Sequence, residues 1–270
     1  MIRAQTAVGA VLIALCLTAA AGAQTPGTEA PYEPKVGQQG KDVVWVPTPQ
    51  ALVDKMLEMA GLTAQDYLID LGSGDGRTVI TAAKRGARAH GIEYNPEMVA
   101  LATRSAAAAE VSDKATFEKA DIFESDFSKA TVITLFLLPQ LNLKLRPILL
   151  DLAPGTRIVS NSFTMAEWQP DETATLTDGC TSWCTALFWI VPARVEGAWR
   201  MGSADLVLTQ AFQHISGTLG GTPIAGGALK GAEIAFSVNG ATYTGRVAGG
   251  TMTGTDSSGA AWSAARKISG

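Results

Sequence analysis

The sequence predicts an α/β fold, a largely parallel sheet with helical crossovers, followed by a small antiparallel all-β appendage. Three observations carry that expectation. From Asp42 to about Ala193, short apolar runs alternate with stretches of helical periodicity. A glycine-rich turn, Gly72-Ser-Gly-Asp-Gly76, separates the first apolar run from the helix after it. From Gly197 onward the texture changes to short alternating runs broken by turns, and this tail holds more than half of the chain's 28 glycines.

The elements come in order. Thr48-Pro49 reads as an N-cap with proline at the first helical position, and Leu52, Val53, Met56 and Leu57 line one face before Gly61 stops the helix. Tyr67–Leu71 is a buried strand; after the glycine turn a helix runs through Arg85 to Gly86. Ala89–Glu93 is the second strand, and Asn95-Pro96 caps an alanine-rich helix to about Glu110. Strands are expected at Thr116–Ala120, Thr131–Leu137 and Thr156–Asn161, with a helix starting near Pro139. Glu172–Thr177 and Thr185–Val191 form a closing hairpin around Cys180 and Cys184. Helical crossovers between strands imply parallel pairing.

Composition narrows the class. Hydrophobic residues make up 47% and charged residues 17%, which excludes a disordered chain, and the net charge of −4 argues against a nucleic-acid partner. Residues 1–23 read as a signal peptide: Arg3, an apolar run from Ala7 to Ala21, and a small-residue site cut after Ala23. The run is shorter than the roughly 20 residues of a spanning helix, so no stable membrane insertion is expected after cleavage. Cys16 follows Leu15, where a lipidation site wants a small residue. The expected location is therefore exported, periplasmic or secreted, with an N-terminal anchor as the alternative. Residues 24–41, rich in Pro, Gly and Gln, read as a linker, 42–196 as the α/β domain, and 197–270 as the β appendage. Cys180 and Cys184 are a candidate disulfide in an oxidising compartment, and no metal site is expected, since His90 and His214 lie far apart in sequence.

In an open parallel sheet, ligands bind outside the carboxyl ends of the strands. Three signals fall there. Asp70-Leu-Gly72-Ser-Gly74-Asp-Gly76 is a tight turn whose glycines admit close backbone approach. Glu93, at the end of the next strand, is placed to accept both hydroxyls of a ribose. Asp121-Ile122, ending the third, offers a carboxylate for an adenine amino group and an apolar side chain for its ring. A nicotinamide site would share the turn and the acid, but its fingerprint wants glycine or alanine where this chain has Arg77. Asp70 also lies where a diphosphate would sit, and suits instead a ligand carrying an ammonium and a sulfonium.

These residues resemble the class I S-adenosylmethionine-dependent methyltransferases, and most of all the bacterial relatives of the mitochondrial ATP-synthase c-subunit lysine methyltransferases. The resemblance lies in Val46-Pro-Thr-Pro49, Asp70-Leu-Gly-Ser-Gly-Asp-Gly-Arg77, Gly91-Ile-Glu-Tyr-Asn-Pro96, Ala120-Asp-Ile122, Phe136-Leu-Leu-Pro139 and Pro154-Gly-Thr-Arg-Ile-Val-Ser-Asn161. It implies a Rossmann-like seven-stranded sheet with the last strand antiparallel. It further implies S-adenosyl-L-methionine cradled by Gly72, Ser73 and Gly74, its ribose on Glu93, its adenine on Asp121 and Ile122, and Thr48 lining the cofactor. The implied acceptor is a protein lysine or a small-molecule amine. Phe136, Pro139 and Asn161 are acceptor-site candidates, no general base is apparent, and His90 is expected to point into packing.

In the tail, Asn239-Gly240 is a strong hairpin signal between alternating runs. Trp199, Tyr243 and Trp262 are expected to fill a small core, or else to contact a partner or glycan. The functional alternative is an exported non-catalytic module that keeps a nucleoside pocket and works through residues 197–270.

Overall fold

The computed structural model describes residues 1–2 and 32–267. The expected cleavage site after Ala23, Cys16 and most of the leader lie outside the described residues. The chain divides into two units, Met1–Tyr32 and Glu33–Gly270, and the second carries two sheets.

Its first layer is a seven-stranded sheet. The strands are β1 (Tyr67–Leu71), β2 (Arg88–Glu93), β3 (Ala115–Lys119), β4 (Val132–Leu135), β5 (Arg157–Asn161), β6 (Glu172–Thr175) and β7 (Thr185–Ile190), in the spatial order β3-β2-β1-β4-β5-β7-β6. β1 to β5 pair in parallel, and β7 inserts antiparallel between β5 and β6, as the family resemblance implies. Helices α1 (Gln50–Met59), α2 (Arg77–Lys84) and α3 (Pro96–Ala108) cover one face, while α4 (Pro139–Leu150) packs on the other.

Strand alternation assigns the two cores. Leu68, Val132 and Val159 meet Leu52, Met56, Val79 and Ala106 on one side; Ile69, Leu71, Ile133 and Ile158 meet Leu145, Leu149, Trp168 and Trp189 on the other. By the same period of two, Asp70 lies on the Leu68 side, at the carboxyl end of the sheet, where the helices leave room. Asn95 caps α3 as expected, its Oδ1 accepting from the Glu97 N–H at 2.9 Å.

Thr48 departs from its expected capping role. Pro49 occupies the N-cap of α1 without a side-chain cap, because the Thr48 hydroxyl is turned to the Asn161 amide, which donates to it at 3.3 Å. Part of the expected linker is also structured. Gly37 N–H donates to the Trp45 carbonyl and Trp45 N–H to that of Gln38, so residues 37–45 form a hairpin-like strap.

The second layer is a nine-stranded antiparallel sheet. It contains β8 (Gly197–Met201), β9 (Ala204–Ala211), β10 (His214–Leu219), β11 (Thr222–Pro223), β12 (Ala225–Lys230), β13 (Glu233–Val238), β14 (Ala241–Ala248), β15 (Thr251–Asp256) and β16 (Ala261–Arg266). β9 pairs with β10 as well as β8, so every strand except β11 belongs to a closed ring. The appendage is thus a barrel, a closure that hairpin signals along the chain do not specify. Trp199, Leu208, Phe236, Met252 and Trp262 fill its interior. Gly245 faces Gly254 across β14 and β15, and a Cβ on Gly245 would come within 2.6 Å of the Trp262 ring. Glycine at 245 therefore makes room for the Trp262 indole against the strand.

Candidate active site

The carboxyl ends of β1, β2 and β4 open onto a cavity of about 240 Å³. Thr48, Asp70, Gly72, Ser73, Gly74, Glu93, Asp121 and Ile122 all line it, and so does Phe136. Residues singled out from separate stretches of sequence therefore meet in one place.

The glycine turn is shaped by its neighbours. Gly72 and Ser73 N–H both donate to the Ile92 carbonyl, tying the turn to β2. Gly74 has φ of 53°, and a Cβ there would lie 2.7 Å from Nε1 of Trp45 in the strap. Glycine is required at this position on both counts, backbone angle and space. Glu93 is held by two backbone donors: Gly74 N–H reaches Oε2 at 2.9 Å and Asn95 N–H reaches Oε1 at 2.9 Å. Each oxygen keeps a lone pair with which to accept a further hydroxyl.

Asp70 is buried, and Thr134 donates its hydroxyl to Oδ1 at 2.7 Å. Burial, helped by the nearby Glu93 and Asp75 charges, pushes its carboxyl up to about 7. Arg77 does not relieve this. Its guanidinium forks onto Asp75 at 3.0 and 2.6 Å, with one N–H on the Thr48 carbonyl at 3.0 Å. Five carboxylates (Asp42, Asp70, Asp75, Glu93 and Asp121) line the cavity against two cations, Lys41 and Arg77. Such a lining favours a ligand that brings positive charge.

Asp121 is paired with Lys41 of the strap, and its Oδ1 also accepts from the Phe123 N–H at 2.9 Å. The hydrogen bond and charge of Lys41 hold the Asp121 carboxyl below the usual range. Lys41 also lies 4.8 Å from the Tyr94 ring centre. The strap therefore meets the floor of the cavity at the edge expected for adenine.

Beyond the β4 end, Phe136, Phe163 and Trp183 pack together, with ring centres 6.0, 5.9 and 5.1 Å apart, and all three line the cavity. Trp183 comes from the loop closed by the Cys180–Cys184 disulfide. The other acceptor candidates stand outside this lining. Pro139 is exposed at the start of α4, and Asn161 is buried, holding Thr48 and accepting from the Ser162 hydroxyl. His90 is also outside the lining; Thr116 bonds its Nδ1 at 2.8 Å, and burial lowers its pKa. Among the described residues, no group of three or more His, Cys, Asp or Glu is arranged to hold a metal.

Residues 70–172 match the ANTKMT methyltransferase domain. The chain is 43% identical over 140 residues to a protein-lysine N-methyltransferase of Saccharolobus islandicus, spanning 51% of this chain and 87% of that one. This chain is a member of that methyltransferase family. A crystal structure titled as an RNA methyltransferase of Salinibacter ruber, with S-adenosyl-L-homocysteine bound, is 48% identical and superposes with a TM-score of 0.53, covering 56% of this chain and 96% of that one. The mouse ATP synthase c-subunit lysine N-methyltransferase is 38% identical over 110 residues, and this methyltransferase spans 43% of its length. The cofactor is S-adenosylmethionine, and the cavity suits it. The Ser73 hydroxyl is buried without a partner, Asp70 is a buried carboxylate short of positive charge, and Glu93 is held with acceptor capacity to spare.

Sequence reasoning missed Lys41, Trp45, Tyr94, Met98, Phe163 and Trp183 in this methyltransferase's cavity. Trp45 directly precedes Val46-Pro-Thr-Pro49, and Trp183 sits between the paired cysteines, so adjacency to a motif was the available signal. For Phe163 and Met98 there was none.

Proposed function

We propose that this methyltransferase transfers a methyl group to a lysine side chain of a protein. In this assignment Gly72, Ser73 and Gly74 hold the methionine portion of the cofactor, with Asp70 facing its positive charge. Glu93 binds the ribose hydroxyls, Asp121 and Ile122 hold adenine, and Thr48 closes the wall. The observation that carries the proposal is the contrast between the two ends of the cavity, acidic where the cofactor binds and aromatic beside Phe136.

S-adenosylmethionine supplies an electrophilic methyl on sulfur; a neutral amine forms the C–N bond as the C–S bond breaks and its electron pair passes to sulfur. The chain's part is positioning and desolvation. Phe136, Leu138, Leu141, Phe163 and Trp183 bring no titratable group to the acceptor side, so the amine's proton leaves to water before transfer. The Saccharolobus relative is named for protein lysine and the Salinibacter structure for RNA. A net charge of −4 supports the protein acceptor, since a phosphate backbone is held by Lys and Arg. The match to the methyltransferase domain and to a protein-lysine N-methyltransferase gives the alternative, an exported non-catalytic nucleoside-binding or interaction module working through residues 197–270, little support.

We further propose export, with cleavage after Ala23. The Cys180–Cys184 disulfide supports an oxidising compartment, and no described helix is long and apolar enough to cross a membrane. N-terminal sequencing of the purified protein is expected to begin at Gln24; an intact Met1 in the mature protein overturns export by cleavage.

The first experiment is calorimetric titration of the chain with S-adenosylmethionine, S-adenosylhomocysteine and NAD, with Glu93→Ala as control. Binding of the two adenosyl ligands alone, lost in the control, supports the site. Labelled methyl donor is then offered to lysine-containing protein and to RNA. Label in RNA and not in protein overturns the lysine assignment.

A further inference from the structure

Trp183 is an unusual residue for its place. It is 44% exposed, although a large apolar ring at a surface loses the gain of burial. Its φ is 56°, in the left-handed region that bulky side chains rarely adopt. Such backbone persists where the surroundings enforce it, and here they do: the residue lies inside a five-residue loop closed by the Cys180–Cys184 bridge. The loop joins β6 to β7 and delivers the indole against Phe163, at 5.1 Å between ring centres, and Phe136, at 5.9 Å. Phe136 in turn belongs to the β4 loop whose Leu137 methyl would lie 3.2 Å from a Cβ on Gly72. The aromatic trio thus continues the cofactor cavity outward.

We infer that Phe136, Phe163 and Trp183 form an acceptor subsite that recognises an alkylammonium through aromatic faces, and that the disulfide holds Trp183 in place for it. The inference rests on the methyltransferase assignment and names the acceptor chemistry of the same site. An amine being methylated gains positive charge on nitrogen, and the product is a cation. Aromatic faces attract that charge, so their contribution grows along the reaction. A lysine side chain brings the aliphatic stem and cationic head that such a wall accommodates. RNA bases would stack on the same rings but carry no ammonium, which the test separates.

The test uses the full oxidised chain saturated with S-adenosylhomocysteine, titrated with Nα-acetyl-Nε-methyllysine amide and with its neutral counterpart, Nα-acetyl-Nε-acetyllysine amide. The cation is expected to bind at least about tenfold tighter than the neutral compound. Trp183→Ala is expected to weaken the cation about fivefold, and Trp183→Phe to restore most of the loss. Reduction of the disulfide, or Cys180→Ser, is expected to act in the same direction as Trp183→Ala. Affinity for S-adenosylhomocysteine stays unchanged throughout, and since Trp183 is exposed the variants are expected to fold. Equal affinity for the two compounds, or an undiminished affinity in Trp183→Ala, overturns the subsite while leaving the enzyme intact. An equal loss of S-adenosylhomocysteine binding in Trp183→Ala also overturns it, placing the ring in the cofactor pocket. Failure of the wild type to bind S-adenosylhomocysteine overturns the methyltransferase assignment and the subsite with it.

Discussion

The two sheets handle burial in opposite ways. The barrel closes on itself, and its interior is taken up by Trp199, Phe236, Met252 and Trp262. The parallel sheet cannot close; its helices leave the carboxyl ends of the strands uncovered, and there Asp70 is buried without a cation beside it and the Ser73 hydroxyl without a hydrogen-bond partner. A filled interior gives stability without a binding site. An open strand-end crevice gives up some stability for groups that a ligand can satisfy.

Substitutions can separate the two regimes. The largest effect belongs to the barrel: Phe236→Ala, which empties the core between Tyr243 and Trp262, is expected to destabilise by about 3–5 kcal/mol. Its readout is denaturant unfolding, with affinity for S-adenosylhomocysteine in the folded protein unchanged; a matching loss of affinity would break the division of labour. Next comes Asp70→Asn, expected to weaken S-adenosylhomocysteine binding about thirtyfold by removing a buried charge opposite the cofactor's ammonium. Unlike the barrel variant, it is expected to leave the ligand-free protein no less stable, because an uncompensated buried carboxylate is lost.

The third prediction rests on the same carboxyl. With a free-state pKa of about 7 and a lower one beside a bound cation, Asp70 must give up a proton on binding when the pH is below 7. Affinity for S-adenosylhomocysteine is therefore expected to fall about tenfold from pH 8 to pH 6, and Asp70→Asn to flatten the profile. A raised carboxyl pKa also means that the ligand-free fold loses stability as pH rises from the unfolded value towards 7. The rise in Tm produced by ligand should thus be larger at pH 8 than at pH 6, and an unchanged rise would sink the assignment. The smallest effect is that of Gly74→Ala. Its φ of 53° and the Trp45 ring together make it cost about 1 kcal/mol or somewhat more of stability, read by thermal unfolding. The strap must also shift, so ligand affinity should fall with it.

Much of the cavity's strand-end lining was legible because each part is local. Gly72, Gly74 and Gly76 announce a turn through their own backbone freedom, and Glu93 and Asp121 sit where a strand pattern ends. The aromatic side of the cavity was less legible. Phe163 and Trp183 reach it from loops after β5 and β6, and nothing in their own sequence neighbourhood requires that they meet Phe136. Pro139 shared a motif with the cavity residues Phe136, Leu137 and Leu138 and Asn161 ended a separate one, yet helix geometry exposes the first and strand alternation buries the second.

By itself, then, the sequence determined the α/β alternation, the parallel strand ends, the acid-and-glycine turn at the first of them and the all-β character of the tail. Periodicity, turn preference and charge are properties of neighbouring residues, and they survive without a fold. Tertiary structure alone decided that β9 meets β10 to close the barrel, that Lys41 at the end of an apparent linker and the nearby Trp45 reach the cavity, and that a disulfide loop carries Trp183 to its rim. Each is a contact between segments distant in the chain, fixed by which surfaces remain to be covered once the two cores have packed.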